Sequence, residues 1–108
     1  MPRTHGRIYA TIWDNADFAA LSGGAQRTYL MLLTQPNLGH SGLLPLTVRR
    51  WSLLCADATV ETLRAGLAEL AAARFVVVDE ATEELLVRTL IRNDGVWKQP
   101  KVLAVAIG

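Results

Sequence analysis

The hydrophobic period changes once along this chain, and that change limits the folds open to it. Val60, Leu63, Leu67 and Leu70 recur at three- and four-residue steps, which puts them on one face of a helix. From Arg74 to Ile91 the chain then runs "RFVVVDEATEELLVRTLI", two β-prone stretches alternating about an acidic tip. Period two with a polar break predicts a β-hairpin. A helix passing at once into a hairpin requires a mixed α+β core.

The segments before residue 60 fill in that core. "RIYATIW" (7–13) alternates, with Ile8, Ala10 and Ile12 on one face and Arg7, Tyr9, Thr11 and Trp13 on the other, which predicts an N-terminal strand. "DNADFAAL" (14–21) opens on capping residues and predicts a single-turn helix. Ser22 is a suitable N-cap for a helix through "GGAQRTYLMLLTQ", with Ala25, Tyr29, Leu32 and Leu33 on its buried side. "NLGHSGLLPL" (37–46) is turn-rich. Thr47 then caps a helix over "TVRRWSLLC", whose buried stripe is Val48, Trp51, Leu54 and Cys55. Asp57 or Thr59 opens the next helix, so the break "ADAT" is as short as the turn of a helix-turn-helix unit.

Strand, three helices and a hairpin is the order of a winged helix: a three-helix core, the hairpin as the wing, and the first strand completing a small sheet. The stretch "IYATIWDNADFAALSGGAQRTYLMLLTQPNLGHSGLLPLTVRRW" followed by "ELAAARFVVVDEATEELLVRTLIRNDGVWKQPKV" resembles small winged-helix proteins of GC-rich bacteria and their phages. It is also similar in layout to the N-terminal domain of phage replisome organisers and of DnaD- and DnaT-like primosomal proteins. The resemblance covers about residues 7 to 102. It implies a DNA-associated module in phage or prophage replication initiation or its regulation. Expected boundaries are an N-terminal arm at 1–6, a winged-helix domain at 7–100 and an apolar tail at 101–108.

Composition narrows the chemistry. The chain has 108 residues, enough for one hydrophobic core. Its longest apolar runs, "YLMLL" and "FVVV", fall far short of the roughly 20 residues of a membrane span. No membrane partner is expected, and the polar start "MPRTHG" predicts a cytoplasmic protein. Cys55 is the one cysteine, expected as a small core residue. His40 and Ser41 are adjacent in a turn with no acid placed to orient the histidine, so they make no nucleophile and base. Gly23–Gly24 is not followed by the Gly-Lys-Ser/Thr of a phosphate loop. One Cys and two distant His lack metal-ligand spacing, and Asp79, Glu80, Glu83 and Glu84 lack the alternate positions of a calcium loop. A non-enzymatic protein is expected, with no cofactor and no small-molecule substrate.

Nucleic-acid binding meets a mixed set of residues. At 100° per residue, the face of the 60–72 helix opposite its apolar stripe carries Glu61, Thr62, Ala65, Ala68, Glu69 and Ala72, with Arg64 at the flank. Base edges are met by Arg, Lys, Asn or Gln, so this face is a poor reader. The tip "DEATEE" would repel phosphates. The expected contacts are therefore Arg49, Arg50, Arg64, Arg92, Lys98 and Lys101, with Asn93 and Gln99 beside them and Arg3 and Arg7 as an arm. Such contacts bind double- or single-stranded DNA by phosphates, with weak sequence preference and strong salt dependence. Trp51 is expected in the core; Trp97 is placed either under the wing or against a base.

A different partner class is also open. Apolar residues make up 51% of the chain, and mean hydropathy is +0.23, so some apolar surface calls for cover. The face Thr62, Ala65, Ala68, Glu69 and Ala72 would let another backbone approach closely, in a homo-dimer or against a replication protein.

Overall fold

Two helices pack against each other in the core, and small residues let them approach. A computed structural model describes residues 5, 6 and 8–88; the rest of the arm, Arg7, and everything from Thr89 on, including Arg92, Trp97, Lys98 and the 101–108 tail, lie outside the described residues. Helix α1 is the short turn Ala16–Ala19, and α2 runs Gly23–Leu33. The Ser22 hydroxyl accepts the Ala25 N–H at 3.1 Å, capping α2 as its sequence predicts. Strand β1 spans Leu43–Pro45, α3 Val48–Trp51, and α4 Val60–Ala72. Strands β2 (Val76–Asp79) and β3 (Glu84–Val87) form the expected hairpin. The fold is mixed α+β, with a three-stranded antiparallel sheet in the order β1-β3-β2.

The hydrophobic stripes of α2 and α4 face each other. Ala25, Tyr29, Leu32 and Leu33 are buried on α2, and Leu63, Leu67 and Leu70 on α4. Gly66 sits at their crossing: a Cβ there would lie 2.7 Å from Thr28 Oγ1, so only glycine fits without a shift. Thr28, buried at this contact, satisfies its hydroxyl by donating to the Gly24 carbonyl at 2.9 Å. The aromatic rings of Phe18, Tyr29 and Phe75 close the core under the sheet, with centroids 5.1–6.4 Å apart.

Several expectations from the sequence are corrected. The described residues of the 7–13 stretch, 8–13, form no strand; Ala10–Asp14 is a 3-10 helix, in which the Ile12 N–H donates to the Tyr9 carbonyl at 3.0 Å. Only Ile12 of that helix is buried, so the alternation there does not record a half-buried sheet face. The third strand comes instead from Leu43–Pro45, within the stretch assigned to turns. It pairs Leu43 with Leu86 and Pro45 with Glu84, and as an edge strand it tolerates proline. Gly42, at φ +89, makes the entry to β1, and its carbonyl accepts the Val87 N–H at 2.8 Å.

Helix α3 is shorter than its apolar spacing suggests. Val48 and Trp51 are buried, but the helix ends there, and Leu54 is 58% exposed rather than part of a buried stripe. The Ser52 hydroxyl donates to the Arg49 carbonyl at 2.6 Å, turning the chain away from the helix axis. Ser52–Thr59 is thus a longer connection than the predicted "ADAT" break. Thr47 holds the N-cap position of α3 without a side-chain cap bond, whereas Thr59 and Thr62 make a reciprocal capping box on α4. Cys55 is half-buried at the surface, not a core residue.

Candidate nucleic-acid interface

The residues with expected contacts separate into two groups by what they touch. Arg49 and Arg50 lie on α3, one and two residues before the buried Trp51. Val48 and Trp51 face the core, so the short helix turns Arg49 and Arg50 outward, and both are exposed. Neither makes an ion pair among the described residues. Just beyond them Leu53 and Leu54 are 83% and 58% exposed, two large apolar side chains that the apolar spacing of 48–55 had assigned partly to the core. Arg92, Lys98 and Lys101 belong to the same expected surface but lie outside the described residues.

Helix α4 presents a different picture. Arg64 Nη1 is 3.1 Å from Glu80 Oε2 at the hairpin turn, with both side chains more than half exposed. The expected phosphate contact therefore faces an acid of the β2–β3 hairpin. Thr62 is held in the capping box, where its hydroxyl accepts the Thr59 N–H at 2.8 Å. Glu69 accepts two hydrogen bonds, from the Ser22 N–H and the Ser22 hydroxyl, each at 2.7 Å. These bonds, the backbone one first, hold its carboxyl below the usual glutamate range. Ala65, Ala68 and Ala72 are exposed as their helical positions predict. Of that face, Thr62 and Glu69 have partners in their own chain.

A second polar contact joins α2 to the connection ahead of α4. Arg27 Nη1 donates to Asp57 Oδ1 at 3.0 Å and to Cys55 Sγ at 3.3 Å, and the Cys55 thiol donates to the same Asp57 oxygen at 3.0 Å. The thiol bond first, and then the Arg27 charge, keeps the Asp57 carboxyl below its ordinary range. Of the two arginines flanking the hairpin, Arg88 is turned inward. Its Nη1 donates to the Arg74 carbonyl at 2.6 Å, while the Tyr29 hydroxyl donates to the Arg88 carbonyl at 2.5 Å. Burial, and then the charge of Arg74, lowers the pKa of Arg88 from its ordinary value.

The sequence reasoning missed Glu80 as a partner of Arg64, the Ser22–Glu69 contact and the exposure of Leu53 and Leu54. The first two join positions 16 and 47 residues apart, and helical or strand periodicity carries no signal for them. Leu53 gives a local signal, because it falls off the stripe defined by Val48 and Trp51. Among the described residues no group of three or more His, Cys, Asp or Glu is placed to hold a metal ion, and no helix is long and apolar enough to cross a membrane. Comparison of the chain with protein-family models, curated proteins and solved structures gives no match.

Proposed function

We propose that this chain is a winged-helix module that associates with nucleic acid without catalysing a reaction, in phage or prophage replication or its regulation. The order α2, β1, α3, α4, β2, β3, with β1 paired to β3 and β2 on the outer side, supports the winged-helix reading. The hairpin β2–β3 is then the wing, and α3 and α4 are the paired helices. The place in replication rests on the resemblance of the sequence to replisome-organiser and primosomal domains.

The observation that carries the DNA surface is the exposure of Arg49 and Arg50 with no carboxylate paired to them among the described residues. Guanidinium groups with no carboxylate partner donate bidentately to phosphate oxygens, at no cost of breaking an internal ion pair. Arg92, Lys98 and Lys101 extend this surface in the proposal, and Arg64 joins it when its own partner is displaced. DNA is held by its backbone, with weak sequence preference.

Titration of labelled duplex and single-stranded DNA, at about 50 and 200 mM salt, tests the proposal. Affinity of the unmodified protein falls with salt. Arg49→Glu with Arg50→Glu lowers affinity about tenfold or more, and flattens the salt slope by roughly 1.8 for two lost phosphate contacts. Unchanged affinity and slope in this double variant would remove α3 from the contact surface and the proposal with it.

A further inference from the structure

We infer that Glu80 restrains nucleic-acid binding by holding the Arg64 guanidinium, so that the tip of the hairpin is an autoinhibitory contact. This inference rests on the DNA reading above. Arg64 Nη1 lies 3.1 Å from Glu80 Oε2, so the cation on α4 already has an anion where a phosphate oxygen would sit. A phosphate must displace that carboxylate before Arg64 contributes.

The tip is built to keep Glu80 in place. Asp79 Oδ1 accepts the N–H groups of Ala81 at 3.0 Å and Thr82 at 3.3 Å, folding residues 79–82 into an Asx turn. The Leu46 N–H donates to the Glu83 carbonyl at 2.9 Å, fastening the far side of the turn to the segment that leads into α3. Asp79 also pairs with Glu84 in the ladder. Glu80 therefore faces α4 from a turn fixed on both sides. Asp79, Glu83 and Glu84 are its acidic neighbours along the turn and strands, and Glu61 lies one helical turn from Arg64 on α4.

The pair is exposed on both partners, and exposed pairs contribute little to folding, so removing it leaves the domain folded. Its effect falls on binding. Glu80→Gln releases Arg64 as one further phosphate contact. Duplex affinity then rises about three- to tenfold at 50 mM salt, and the slope of log affinity against log salt steepens by roughly 0.9.

The deciding measurement is the same titration on Glu80→Gln, Arg64→Ala and the double variant, with Glu83→Gln as control. Glu83 carries the same charge on the same turn without an ion pair among the described residues. The latch requires that Glu80→Gln lose most of its gain once Arg64 is alanine, and that Glu83→Gln change affinity by less than about twofold. An equal gain with and without Arg64, or an equal gain from Glu83→Gln, reduces the effect to bulk charge and overturns the latch. If Glu80→Gln has no effect while Arg49→Glu with Arg50→Glu abolishes binding, the latch fails and the DNA reading stands. Absence of DNA binding by every variant at low salt overturns both. Thermal unfolding of each variant confirms that it is folded in the titration.

Discussion

Helices α3 and α4 differ in how much of their outward chemistry is taken up inside the molecule. On α4, Thr62 is engaged in the capping box, Arg64 with Glu80, and Glu69 with Ser22, while Gly66 receives Thr28 from α2. On α3, Val48 and Trp51 face the core, and Arg49 and Arg50 face outward with no ion pair among the described residues. A helix that follows a turn in a helix-turn-helix arrangement is ordinarily the one offered to a groove. In the winged-helix reading proposed above α4 would be that helix, and it is fastened on both flanks, to the hairpin by Arg64 and to the start of α2 by Glu69. The contrast teaches that a helix's position within a motif does not decide its availability; the partners of its polar side chains do.

Trp51 gives the largest way to break that contrast. It is the anchor that presents Arg49 and Arg50, and it is 1% exposed. Trp51→Ala leaves a large cavity and lowers stability by about 3–5 kcal/mol, read from the urea midpoint at unchanged slope. A loss under about 1 kcal/mol, the range of ordinary surface changes, would mean that α3 is not held by the core, and its arginines would have no fixed direction.

Gly66 tests the other helix. The added methyl of Gly66→Ala meets Thr28 Oγ1 at 2.7 Å, so α2 and α4 must separate or Thr28 must turn. Overpacking costs about 1–3 kcal/mol, and the better helix propensity of alanine returns about 1. A net loss of up to about 2 kcal/mol is expected in the same urea experiment. At exposed Ala65, one position earlier, the opposite change to glycine costs about 1 kcal/mol from propensity alone. A stabilised Gly66→Ala protein would mean that the crossing has room, and that α4 is less tightly fixed than its contacts with α2 imply.

How much of this arrangement is legible in the sequence depends on the range of the interaction. Ser22 and Thr59 as caps, the stripes on α2 and α4, the buried Trp51 and the β2–β3 hairpin all leave local marks, because capping and periodicity act within a few residues. Strand β1 leaves almost none. It has three residues, ends in Pro45 and gains its identity from pairing with Glu84–Leu86. The converse holds at 8–13, where a strand-like alternation stands outside the sheet and turns into a 3-10 helix at Ala10. The α+β class and the exposed positions of Arg49, Arg50 and Arg64 follow from local pattern. That Arg64 is paired and that Leu53 and Leu54 are exposed depend on where the hairpin and the short α3 come to rest.

Acid titration sharpens the comparison with the smallest effect, at the Ser22 end of α4. Glu69 is held below the ordinary glutamate pKa by the Ser22 N–H and hydroxyl. Its ionised form is therefore favoured in the folded state, and the unfolded chain binds the proton more readily. The contribution to stability is complete above the unfolded value of about 4.3, and it is lost as pH falls through the lower folded value. Asp57, held down by Cys55 and Arg27, titrates with the same sign, so the parent protein carries both losses on acidification. Glu69→Gln keeps one acceptor oxygen for Ser22 but has no charge to lose. Its urea midpoint is slightly lower than the parent's at pH 7, and the two converge as the pH drops below about 4. Parallel curves over that range would show that the Ser22 contact does not tie α4 to α2, leaving Gly66 as the principal link between them.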